Sequence, residues 1–87
     1  MKLNWASVQP RHVEQACAQL AAAGLMRRRG LVVHHAEAML PAKDVLARAY
    51  RLANGLPETA PLRFASGEGS LRLLRALGFR AERLGGA

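Results

Sequence analysis

The sequence predicts a small single α+β domain: three helices packed on a short two- or three-stranded antiparallel sheet. Three observations point there. Three stretches carry apolar residues at helical spacing, and each is followed by a glycine where the pattern stops: Gly24, Gly55 and Gly78. Between the first two lies Leu31-Val32-Val33-His34-His35, whose β-branched pair after Gly30 reads as a strand. The chain of 87 residues is long enough for one small core. The domain is placed at residues 1–84, with Gly85-Gly86-Ala87 as a frayed tail or the start of a linker.

Taken in order, Trp5 is expected at the edge of the core. Ser7 is the expected cap of the first helix, with Pro10 in its first turn, where a missing N–H costs nothing. Val13, Ala16, Cys17, Leu20 and Ala21 make the buried stripe, and His12 falls in the opening turns as a solvated surface residue. Cys17 is the only cysteine, which rules out an intrachain disulfide and a multi-cysteine zinc site. On an apolar face it reads as a buried, inert thiol in a cytoplasmic protein. A basic connection, Arg27-Arg28-Arg29, leads into the strand Leu31–His35. Ala36-Glu37-Ala38 then turns the chain so that Met39-Leu40 pairs back.

The second helix opens at Pro41 and buries Val45, Leu46, Ala49, Leu52 and Ala53, with Arg48 pointing outward. Lys43 lies in its first turn, where the helix dipole disfavours a cation. It is either solvated, paired with an acid such as Glu37, or matched by an external anion. Leu56 to Pro61 is too rich in proline for regular structure. Leu62-Arg63-Phe64-Ala65 leads into Ser66-Gly67-Glu68-Gly69-Ser70, the opening of a third helix with Leu71, Leu74 and Leu77 inside. Ser70 there is an ordinary cap or part of a backbone cradle for phosphate. Phe79 to Leu84 alternates as a last strand.

Thirteen Lys and Arg against six acids leave a net charge of +7, and eleven of the thirteen are arginine. That favours a polyanionic partner, although arginine richness also follows from a GC-rich genome. No apolar run spans a bilayer, and Met1-Lys2 is not followed by an apolar signal core. His34 and His35 are adjacent on a strand and point to opposite faces, so the pair offers one ligand to a side and no metal site is expected. No carboxylate pair or nucleophile–base pair stands out, so catalysis is not expected, and neither is a cofactor.

The expected phosphate contacts are Arg27, Arg28, Arg29, Lys43, Arg63, Ser70 and Arg72. His34, Ser66 and Gly67 flank a nucleotide site placed between the hairpin tip near His34–Glu37 and the Ser66–Ser70 loop. The rival reading is an adaptor that docks a partner subunit through an apolar patch around Leu46, Tyr50 and Leu73.

Four segments add a resemblance: Leu40-Pro41-Ala42-Lys43-Asp44-Val45, Leu52-Ala53-Asn54-Gly55, Phe64-x-Ser66-Gly67-x-Gly69-Ser70 and Leu74-x-x-Leu77-Gly78-Phe79. In this order and spacing they resemble the N-terminal head domain of McrA-like, modification-dependent HNH restriction endonucleases. The resemblance covers the chain from Leu40 onward. It implies a DNA-associated module of a bacterial restriction and defence system, one that reads modified DNA or accompanies domains that do. Pro41 and Lys43 match the family's helix start, and Gly67 and Gly69 stand near its glycine pair, here split by Glu68. Nothing in the chain resembles a His-Asn-His metal site, so no nuclease activity of its own is expected. The implied partners are DNA, duplex rather than single-stranded, and a nuclease domain or subunit.

Overall fold

In the computed structural model, described for residues 3–85, all three helices stop in the same way. They are α1 (Pro10–Ala22), α2 (Ala42–Ala53) and α3 (Glu68–Ala76). In each, the glycine N–H donates to the carbonyl three residues back: Gly24 to Ala21, Gly55 to Leu52, Gly78 to Arg75. The next residue's N–H reaches five back: Leu25 to Leu20, Leu56 to Arg51, Phe79 to Leu74. This double closure needs a left-handed residue, and Gly55 and Gly78 supply it at φ 65° and 94°. The motif also places an apolar residue just past each glycine. Two of these, Leu25 and Leu56, are among the large apolar residues left exposed.

The three strands are β1 (Gly30–His35), β2 (Ala38–Pro41) and β3 (Arg80–Leu84), antiparallel in the order β2-β1-β3. His35 pairs with Ala38 across a two-residue turn in which Ala36 takes φ 52°. Register puts Val33 beside both Leu40 and Ala81, so these side chains share one face with Leu31 and meet the helices in the core. His34 sits between Met39 and Arg80 on the other face. The core is completed by Val13, Ala16, Cys17 and Leu20 from α1, by Val45, Leu46 and Ala49 from α2, and by Leu71 and Leu74 from α3. Each fully buried leucine here contributes roughly 1.5–3 kcal/mol.

Several local expectations are corrected. Ser7 does not cap α1; it closes a short 3₁₀ turn (Trp5–Ser7), and Gln9 caps α1. His12 is not a solvated bystander. Its Nδ1 accepts the Gln9 backbone N–H at 2.9 Å, the return half of a capping box. Pro41 ends β2 and stands as the cap of α2, which begins at Ala42. Gly67, not Ser70, caps α3. β3 begins at Arg80, because Phe79 is spent on closing α3. Of the tail, Gly85 follows β3 at φ 60°, while Gly86 and Ala87 lie outside the described residues.

Candidate nucleic-acid interface

Ser70 lines one cavity, Arg27 and Arg28 line a second and Arg63 a third. The first is built on an aromatic chain. The Tyr50 hydroxyl of α2 accepts the Asn4 N–H at 3.1 Å, and Asn54 Nδ2 donates to Ser7 Oγ at 3.0 Å. These two bonds clamp the start of the domain onto α2 and hold Trp5 edge-on to Tyr50, centroids 5.0 Å apart. Phe64 meets Trp5 at the same separation and an interplanar angle of 76°. Phe64 comes from the irregular segment between α2 and α3, whose path is fixed by α2. Arg51 Nε donates to the Ala60 carbonyl at 3.0 Å, and Arg48 donates to Glu58 at 2.6 Å and to Gln19 at 3.0 Å. Arg48, expected to point outward, is thus half-buried and ties α1, α2 and that segment together.

Lys43 Nζ lies 5.7 Å from the Phe64 ring centroid. The cation at the unfavourable end of α2 has an aromatic face for company, in place of Glu37 or solvent alone. Beside it opens a cavity of about 260 Å³ lined by Trp5, Leu46, Phe64, Ala65, Gly69, Ser70 and Leu73. Ser70 is the third residue of α3, 7% exposed, and its hydroxyl has no hydrogen-bond partner among the described residues. No fully enclosed side-chain oxygen or nitrogen lacks a partner among those residues, so the Ser70 hydroxyl is not fully enclosed, and Ser70 lines the cavity. Ser66 is exposed just before the Gly67 cap, and Arg72 is exposed one turn into α3. Arg63 lines a separate shallow pocket with Leu3, Pro61 and Leu62.

The second cavity, about 720 Å³, is lined by Met26, Arg27, Arg28, Glu37 and Met39. The Arg27 N–H donates to the Met39 carbonyl at 2.9 Å, which lays the basic connection against β2. Arg29 runs alongside Gly85; a Cβ built there would come within 3.1 Å of Arg29 Cγ. His34 shares a sheet face with Met39, but its Nε2 is 2.5 Å from Glu82 Oε2, an oxygen Arg80 also approaches at 3.5 Å. His34 is therefore engaged within the sheet. The two cavities, one by the Ser66–Ser70 loop and one by the hairpin tip, share no lining residue.

The cations divide sharply by what they touch. Arg48, Arg51, Arg75, Arg80 and Arg83 each bind a carbonyl or a carboxylate. Arg11, Arg27, Arg28, Arg29, Lys43, Arg63 and Arg72 make no ion pair or side-chain hydrogen bond among the described residues. Four of the six acids are already taken: Glu14 lies by His35, Glu58 by Arg48, Glu68 by Arg83, and Glu82 by His34 and Arg80. The positive surplus therefore rests on the candidate contacts and Arg11.

Trp5, Leu46, Phe64, Gly69 and Leu73 of the aromatic cavity are missing from the sequence-derived set of contacts. Only the bulk of Trp5 and Phe64, in a chain with few aromatics, could have drawn attention to them. The apolar patch that the adaptor reading needs is not formed: Leu46 and Tyr50 are buried and Leu73 is half-buried. Burial pushes the Cys17 thiol up to about 11, with Glu14 adding to the effect, so it is protonated near neutrality. Among the described residues, no three of His, Cys, Asp and Glu converge as metal ligands, and no helix is long and apolar enough to cross a membrane. Comparison with protein-family models, curated proteins and solved structures finds no match to this chain.

Proposed function

We propose that this domain binds DNA through its unpaired cations and performs no chemistry on it, as a head-type module of a restriction or defence system that reads modified DNA. The observation that carries the reading is the division of the cations. Arginines that serve the fold have partners, whereas Arg27, Arg28, Arg29, Lys43, Arg63 and Arg72 have none among the described residues. Guanidinium groups left without carboxylates are suited to phosphate, which they bind bidentately. The resemblance from Leu40 to Phe79 to McrA-like head domains supports the same reading, and it puts a nuclease domain or subunit beside this one. The proposed setting is the cytoplasm.

The test is titration with duplex DNA at rising salt. Each phosphate contacted contributes a log–log slope of about −0.9, so four to six contacts give roughly −4 to −5. Absence of binding to duplex and single-stranded DNA at roughly 50 mM salt would sink the proposal.

A further inference from the structure

Resting on the DNA-binding reading, we infer that the cavity between α2 and α3 takes one unstacked nucleobase, with Lys43 at its mouth meeting that nucleotide's phosphate. The cavity has the composition such a ligand needs. Phe64, Trp5, Leu46 and Leu73 give it apolar and aromatic walls, and base–aromatic contact is tolerant of sequence because every base has a π-face. At about 260 Å³ it is just below the roughly 300–1,000 Å³ of drug-sized ligand sites, a scale suited to a single base. Ser70 supplies the polar point. Its hydroxyl is partnerless among the described residues and belongs to a residue that lines the cavity, so it can donate to or accept from a base edge. Lys43 Nζ lies over the Phe64 ring, 5.7 Å from its centroid, which brings a cation to one wall of the cavity. The arrangement matches how proteins hold an extruded base: stacking on apolar walls, a hydrogen bond to its edge, a cation on the backbone.

Gly69 provides the means of testing this. It lies in the first turn of α3, its φ is not positive, and a Cβ built on it meets nothing within 4 Å. Gly69→Leu therefore adds a large side chain to the lining of the cavity without backbone strain or clash, and exchanges a poor helix former for a good one. Two duplexes are compared, one carrying a single unpaired thymidine and one with that nucleotide abasic, so that backbone charge is constant. Binding is read by anisotropy and, because Trp5 is the chain's only tryptophan and lines the cavity, by its fluorescence.

The expected result is binding of the base-bearing duplex roughly tenfold tighter, as stacking of one base implies. Trp5 emission should change with that duplex alone, and Gly69→Leu should bind both duplexes at the abasic level. Equal affinity and equal Trp5 response for the two duplexes in the unaltered protein would overturn the inference and leave the DNA-binding reading standing. A base-dependent difference that survives in folded Gly69→Leu would overturn it too. Failure to bind either duplex at low salt would remove both.

Discussion

Lys43→Ala separates a phosphate contact from a mere unit of charge. In stability, two opposing terms meet at this residue. The cation stands in the first turn of α2, where the dipole penalises it by about 0.3–1 kcal/mol. It also lies over Phe64, and an exposed cation–π contact returns roughly 0.5–1 kcal/mol. Removing the side chain cancels both, so the unfolding free energy should change by between a loss of about 0.7 and a gain of about 0.5 kcal/mol. Binding should respond clearly. Loss of one phosphate contact flattens the log–log salt slope by about 0.9. Between roughly 50 and 200 mM salt, the variant should therefore lose about three- to fourfold less affinity than the parent. Anisotropy titrations at several salt concentrations, with denaturant unfolding alongside, measure both quantities. Arg11→Ala is the charge-matched control, since Arg11 is exposed on α1 without a partner among the described residues. Arg48 cannot serve, because its loss would detach Gln19 and Glu58. An equal flattening at Arg11, or an unchanged slope at Lys43, would refute the placement of a phosphate at the start of α2.

Two further outcomes test the fold beneath the site. Cys17, fully buried and with its thiol raised to about 11, should resist alkylation in the native protein and react once unfolded; rapid native labelling would mean that α1 faces another way. Because its folded value lies above the ordinary thiol value of 9.0, its contribution is whole below that pH and is lost as pH rises towards 11. The fall is at most about 1.4 kcal/mol per pH unit, checked by denaturant titration across that window against Cys17→Ser. Ala36 holds a left-handed conformation that costs a non-glycine residue roughly 1–2 kcal/mol. Ala36→Gly relieves it against an unfolded-state cost of about 0.4–1 kcal/mol, so a net gain between about zero and about 1.6 kcal/mol is expected. A loss of stability would show that the turn is not as described.

The layout of helices and strands was legible because its signals are local. Apolar residues at Val13, Cys17 and Leu20, or at Val45, Leu46 and Ala49, reach the core through helical spacing alone, and the glycine after each helix marks its end. Caps were less legible, since several neighbouring residues can each do the work. Ser7 has the better capping side chain, but its hydroxyl donates to the Asn4 carbonyl and accepts from Asn54, so the cap passes to Gln9 and His12. Ser70 looked like the start of α3, yet the extended Gly67 begins the helix and carries Ser70 inside, where it turns to the cavity. The first error arises from a partner distant in sequence, Asn54, which local propensity cannot register; in the second, the cap is a glycine with no side chain to signal it.

The same distinction governs the charge. A sequence gives every arginine equal weight, and thirteen cations on 87 residues invite the idea of a uniformly basic surface. The fold withdraws five of them by giving them work. Arg51 holds the Ala60 carbonyl and Arg75 the Ala81 carbonyl, while Arg48, Arg80 and Arg83 lie against carboxylates. Those roles depend on where an irregular segment or a strand edge happens to pass, so spacing along α2 or α3 could not reveal them. The cations that remain have little to do in folding, and substituting them should cost little stability because exposed, unpaired charges contribute little. Lys43 is the clearest case: the helix start disfavours it, Phe64 offsets that cost, and the cavity it borders contains a hydroxyl with no partner among the described residues. A nucleotide placed there would satisfy the cation, the ring and the hydroxyl together, which no group among the described residues does.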